Sequence, residues 1–155
     1  MSVSSQPLDI VTQPTGKPAM MPSTGTNILA LPLVTATIIT GNNEDWVDTI
    51  QYTVDNGSGA PSSFPQLDLR GIDFLMEIRH QAADNEVVIQ ASTMDGTMAI
   101  GAPPNYGFLI IYVPLAEVMM YKEPGSYVGD IVAMDGNFTI TAIQINLTIF
   151  EGVTR

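Results

Sequence analysis

His80 is the chain's only histidine, so any proton relay built on imidazole has to pass through it. Such a relay holds the ring between a nucleophilic hydroxyl and an orienting carboxylate. His80 instead follows Arg79 at the exit of an alternating apolar stretch, and no serine is set apart by its surroundings. It reads as a surface histidine, and the chain as a non-enzyme. Asp45 with Asp48, or Asp130 with Asp135, offers oxygens of the kind calcium takes, but no EF-hand spacing is present. No metal or cofactor is expected.

Tyr106, Tyr112, Tyr121 and Tyr127, with Trp46, have the aromatic faces that stack on sugars; core or interface packing is their expected use. Arg70 and Arg79 pair either with a partner's carboxylates or with their neighbours Asp68, Asp73 and Glu77. The local pairs are favoured, because exposed pairs of this kind are common and weak. Asn137-Phe138-Thr139 and Asn146-Leu147-Thr148 match the glycosylation sequon but fall in or beside expected strands, and read as coincidence.

The elements that would position these side chains are strands. Ile72, Phe74, Met76 and Ile78 alternate with Asp73, Glu77 and Arg79, as in a strand buried on one face and wet on the other. Leu75 and Leu69 fall on the wet face, and Gly71 supplies a bend or a positive φ ahead of the run. Ile28 to Ile39 reads as a β-branched strand broken at Pro32, and 40–45 as a loop. Trp46 to Val54 is a strand with Trp46, Ile50, Tyr52 and Val54 on one face, and Asp48 interrupts that face as a residue near the strand's edge would. Glu86 to Ala91 and Thr97 to Ile100 are short strands, joined as a hairpin by Asp95-Gly96.

Phe108 to Val113 is apolar on both faces and belongs mid-sheet. Pro114 to Met120 reads as a helical turn with Leu115, Val118 and Met119 on one side, closing an end of the core. Ser126 to Met134 is a strand, and Asp135-Gly136 turns it into the last one. There the apolar parity changes, from Phe138, Ile140 and Ala142 to Ile143, Ile145, Leu147 and Ile149. One extra residue within 141–144, a β-bulge, or a change of sheet there accounts for the change. About eight short strands with Gly- and Pro-rich turns specify an all-β antiparallel sandwich over residues 28–155.

Residues 1–27 differ. Pro7, Pro14, Pro18 and Pro22 stand among Ser, Thr and Gln, which favours an extended arm over any helix. Leu8, Ile10, Val11, Met20 and Met21 are apolar anchors that a solvated tail has no use for, and they suit an arm lying along a neighbouring subunit. Trp46 and Phe74 are expected in the core.

Composition narrows the partners. Five basic residues stand against sixteen acids and no two of the five adjoin, so neither duplex nucleic acid nor an anionic membrane is a direct ligand. No cysteine is present, which removes disulfides and thiolate chemistry and suits synthesis in a reducing compartment. The N-terminus lacks the basic and apolar pattern of a signal peptide, and no apolar run is long enough for a membrane helix. Only 14% of residues are charged, against about 25% in a typical domain, as expected where partners cover much of the surface.

From residue 68 onward the motifs run Asp68-Leu69-Arg70-Gly71, Met76-Glu77-Ile78-Arg79, Ser92-Thr93-Met94-Asp95-Gly96, Gly125-Ser126-Tyr127-Val128-Gly129-Asp130 and finally Glu151-Gly152-Val153-Thr154-Arg155. In order and spacing they resemble the β-sandwich domain of bacteriophage baseplate and receptor-binding-protein-anchoring proteins. The resemblance implies a non-enzymatic virion structural protein, made in the bacterial cytoplasm and carried in the particle. Its partners would be other virion proteins and copies of itself. A tail or baseplate adaptor is the leading expectation and a capsid decoration protein the alternative; a carbohydrate-binding module is the reading from another class. Removing residues 1–27 should then leave the sandwich folded and stop its incorporation.

Overall fold

The computed structural model describes residues 8–12 and 28–154. Nine strands follow in chain order: β1 (Leu8–Thr12), β2 (Val34–Gly41), β3 (Trp46–Val54), β4 (Asp73–Arg79), β5 (Ile89–Ser92), β6 (Met98–Ile100), β7 (Phe108–Val113), β8 (Gly125–Met134) and β9 (Thr139–Phe150). They form a four-stranded sheet of order β1-β3-β7-β6 and a five-stranded sheet of order β2-β9-β8-β4-β5. Three short 3-10 turns, at Ile28–Ala30, Pro61–Ser63 and Met119–Tyr121, are the helical pieces among the described residues. The fold is an all-β sandwich, though not the wholly antiparallel one expected: β1 pairs parallel with β3 and β2 parallel with β9.

Alternation decides which side of each strand is buried. Phe74, Met76 and Ile78 of β4 point inward, as do Ile143, Ile145, Leu147 and Ile149 of β9. From the opposite sheet they meet Trp46, Ile50 and Tyr52 of β3 and Leu109, Ile111 and Val113 of β7. Each such side chain contributes about 1.5–3 kcal/mol on leaving water. Met119 enters this core while Leu115 and Val118 pack against its rim, but the helical piece is the 3-10 turn Met119–Tyr121, later than the turn expected from Pro114.

The parity change in the last strand is a β-bulge. Ile131 pairs with Ile143 but Val132 pairs with Thr141, leaving Ala142 as the extra residue. Ala142 and Ile143 are both buried, so the strand turns its core face over without leaving its sheet. Asp135-Gly136 makes the β8–β9 turn: Gly136 has φ +93°, and Asp135 Oδ1 accepts from the amides of Asn137 and Phe138, both at 2.8 Å.

Several sequence expectations are corrected. Asp95-Gly96 is not a hairpin turn, because β5 belongs to the five-stranded sheet and β6 to the four-stranded one. Ser92, Asp95 and Thr97 knit that segment into a crossover: Ser92 N donates to Thr97 Oγ1 at 2.8 Å, and Thr97 N donates to Asp95 Oδ1 at 2.9 Å. Leu69 is wholly buried, because the Leu69–Ile72 turn lies outside the strand and its parity does not extend there. Asp48 is buried on a strand flanked on both sides, and the Trp46 indole N–H donates to its Oδ2 at 2.6 Å. The strand expected from Ile28 starts at Val34, beyond Pro32, and runs into the expected loop as far as Gly41; Ile28–Ala30 is a 3-10 turn. The strand expected at 86–91 begins only at Ile89.

Residues Leu8–Thr12 of the arm form a strand on the chain's own four-stranded sheet, parallel to β3 with Ile10 beside Tyr52. Ile10 is 3% exposed and part of the core. A 1–27 truncation therefore strips an edge strand from the sandwich as well as removing an arm.

Candidate functional site

A polar concavity lies on the outer face of the five-stranded sheet, a groove of about 320 Å³ crossing β2, β9, β8 and β4. Outward-facing Thr35, Gln144, Asn146, Asp130, Glu77 and Arg79 line it. The strands place these side chains in register, with Glu77 of β4 directly beside Asp130 of β8. Like charges on adjacent strands repel, and Arg79 bonds directly to Glu77. Its Nη2 donates to Glu77 Oε2 at 2.5 Å and its Nη1 to the Asp84 carbonyl at 2.6 Å. Burial and then the Glu77 charge push the Asp130 carboxyl above the ordinary aspartate range, against a smaller pull from Arg79.

This groove can hold a polar ligand by hydrogen bonds. Its lining carries one hydroxyl, that of Thr35, and no histidine or thiol. His80 lies at the exit of β4 with its ring tilted against that of Tyr127, centroids 4.8 Å apart. No cluster of three His, Cys, Asp or Glu side chains with metal-holding geometry occurs among the described residues.

A second, mainly apolar concavity of about 450 Å³ lies at one end of the sandwich, lined by Leu115, Ala116, Met120, Asn42, Asn43 and Thr154. Two asparagines fasten the C-terminal segment beside it. Gly152 N donates to Asn42 Oδ1 at 2.9 Å, Asn42 Nδ2 to the Lys122 carbonyl at 3.1 Å, and Asn43 Nδ2 to the Thr154 carbonyl at 3.3 Å. A Cβ at 152 would stand 1.8 Å from Asn43 Cγ, so a larger residue there displaces the Asn43 side chain.

The residues singled out from the sequence do not converge on one place. Arg70 pairs locally, Nη2 to Asp68 Oδ2 at 2.7 Å, and its guanidinium lies 3.9 Å from the centre of the Tyr106 ring. Arg79 pairs with Glu77 within the groove. Leu8, Ile10 and Val11 fall in β1, while Met20 and Met21 lie outside the described residues. The aromatics are dispersed: Trp46 and Tyr127 are buried, Tyr112 is exposed on the outer face of β7, and Tyr121 is exposed beside the end concavity.

The groove role of Asp130 and the latch asparagines Asn42 and Asn43 are not legible in the sequence. Asp130 stands out in the sequence only as an oxygen donor beside Asp135, not as the neighbour of Glu77, and Asn42 meets Gly152 across more than a hundred positions of chain. Compared with known protein families and with curated proteins, the sequence matches none.

Proposed function

We propose that the chain is a non-enzymatic structural component of a bacteriophage particle, a tail or baseplate adaptor present in many copies. The observation that carries this reading is the placement of β1. A short segment, well separated in sequence from the body, adds itself to an exposed sheet edge through backbone hydrogen bonds and one buried anchor, Ile10. Strand addition of this kind is a recurrent mode of protein assembly. The motifs behind the phage resemblance support the same reading. They occupy the turn into β4, the end of β4, the crossover after β5 and the first half of β8, so most of them belong to one sheet and its connections. The dispersal of the aromatics weakens the carbohydrate-binding alternative.

Mass spectrometry of purified particles, separated into heads and tails, tests the proposal. Recovery with tails supports the adaptor. Recovery with heads makes the chain a capsid decoration protein, and absence from both fractions overturns the structural role.

A further inference from the structure

Topology brings both ends of the connection between β1 and β2 to the same end of the sandwich. β1 runs parallel to β3, with Thr12 beside Val54 at the finish of both strands. β2 is joined to the start of β3 through residues 42–45 alone, so β2 runs the opposite way and begins at the end where β1 and β3 finish. Ile28, wholly buried, leads into that beginning. Stacked sheets lie about 10 Å apart, and connections in compact domains have a median length of roughly 4–6 residues. The sequence instead places residues 13–27 between the two points, a length with a stretched reach of about 50 Å. Pro14, Pro18 and Pro22 give that length a preference for extended chain.

We infer that the strand slot along β3 is exchanged between copies: β1 of one copy fills the slot of a second copy of this chain. The exchanged strand makes the same contacts as the resident one, with Ile10 entering the same place in the core. Exchange therefore needs no new complementarity and is decided by concentration. A tethered strand meets its own slot at an effective concentration on the order of millimolar, lower as the tether lengthens. Copies packed in an array offer identical slots within the tether's reach. The edge position allows the substitution, because β1 has one strand neighbour to leave and one to join. This deepens the adaptor reading and rests on it for the gathering of many copies.

The absence of cysteine makes a clean test. Asp9 and Gln51 are register partners across β1 and β3, and adjacent strands hold paired positions within disulfide range. Two single variants, Asp9→Cys and Gln51→Cys, are mixed in full-length protein, refolded together at high concentration and oxidised. Asp9→Cys with Gln90→Cys, an exposed position on β5 in the other sheet, is the collision control. Exchange predicts a disulfide-linked heterodimer several-fold in excess of the control. Heterodimer at or below the control overturns exchange. The double variant Asp9→Cys/Gln51→Cys should close within one chain when dilute; failure to close overturns the slot itself. All of this is read on purified protein, so a negative result leaves the particle fractionation to decide the virion role separately.

Discussion

Asp130 is half-buried on the outer face of β8, in register with Glu77. Burial and that neighbouring charge raise its folded pKa above the unfolded value, so the folded state holds this proton more tightly. At neutral pH the ionised carboxylate works against folding, and acidification through its raised pKa relieves the cost. Asp130→Asn should therefore stabilise the protein at pH 7 by up to about 1 kcal/mol, given solvent screening at so open a site. The gain should shrink as the pH falls to 4. Urea unfolding midpoints at the two pH values check this, and a gain of equal size at both would remove the titration of Asp130 as its cause. Asp68 and Asp95 carry the opposite sign. The Arg70 side chain lowers the first and the Thr97 hydroxyl the second, so their support is present above the ordinary aspartate range and is lost on acidification. Tyr52 adds a third kind of polar group, a buried hydroxyl without a hydrogen-bond partner among the described residues, whose burial pushes its pKa up.

The bulge at Ala142 is what lets one strand serve the core on even positions before it and odd positions after it. Deleting Ala142 forces a choice, because a one-residue slip turns either Ile140 or the run Ile143–Ile149 away from the core. The expected loss exceeds about 3 kcal/mol, in the range reserved for disrupted cores, and is read as a lowered urea midpoint. A near-normal midpoint would mean that the bulge does not set the facing of β9. This bulge was legible because strand parity is written in adjacent residues, as were β3 and β4, whose expected bounds agree with the structure to within a residue. The crossover at Asp95-Gly96 was not legible. The dipeptide encodes a local reversal with Gly96 at φ +84°, but which sheet receives the next strand depends on partners far away. The parallel β1–β3 pairing was hidden for the same reason. So was the place of Asp48, whose charge suggested an edge until the Trp46 indole was seen to use it. Of the candidate sites, the local Arg70 and Arg79 pairs were readable from spacing alone; the groove and the asparagine latch were not.

At the scale of the whole molecule the dominant electrostatic fact is a formal charge of −11. Self-repulsion among sixteen acids opposes compaction, and salt screens it, since the Debye length falls from about 10 Å at 0.1 M to about 3 Å at 1 M. The same salt weakens the Arg70–Asp68 and Arg79–Glu77 pairs, but exposed pairs of this kind contribute little. Repulsion should win, so the urea midpoint should rise with sodium chloride. A midpoint that falls would show the paired charges to be worth more than the unpaired ones cost.

The parallel pairing of β2 with β9 also governs the order in which the chain can be completed as it is made. Val34 meets Ile143 and Gly41 meets Phe150, so a strand from the first third of the chain waits for one near its end. Until β9 leaves the ribosome, Val34-Thr35-Ala36-Thr37-Ile38-Ile39-Thr40-Gly41 has no sheet neighbour, and it contains no charge and no proline to discourage a stray one. The five-stranded sheet thus cannot be completed until β9 has emerged, and the hazard of mispairing between nascent chains falls on β2.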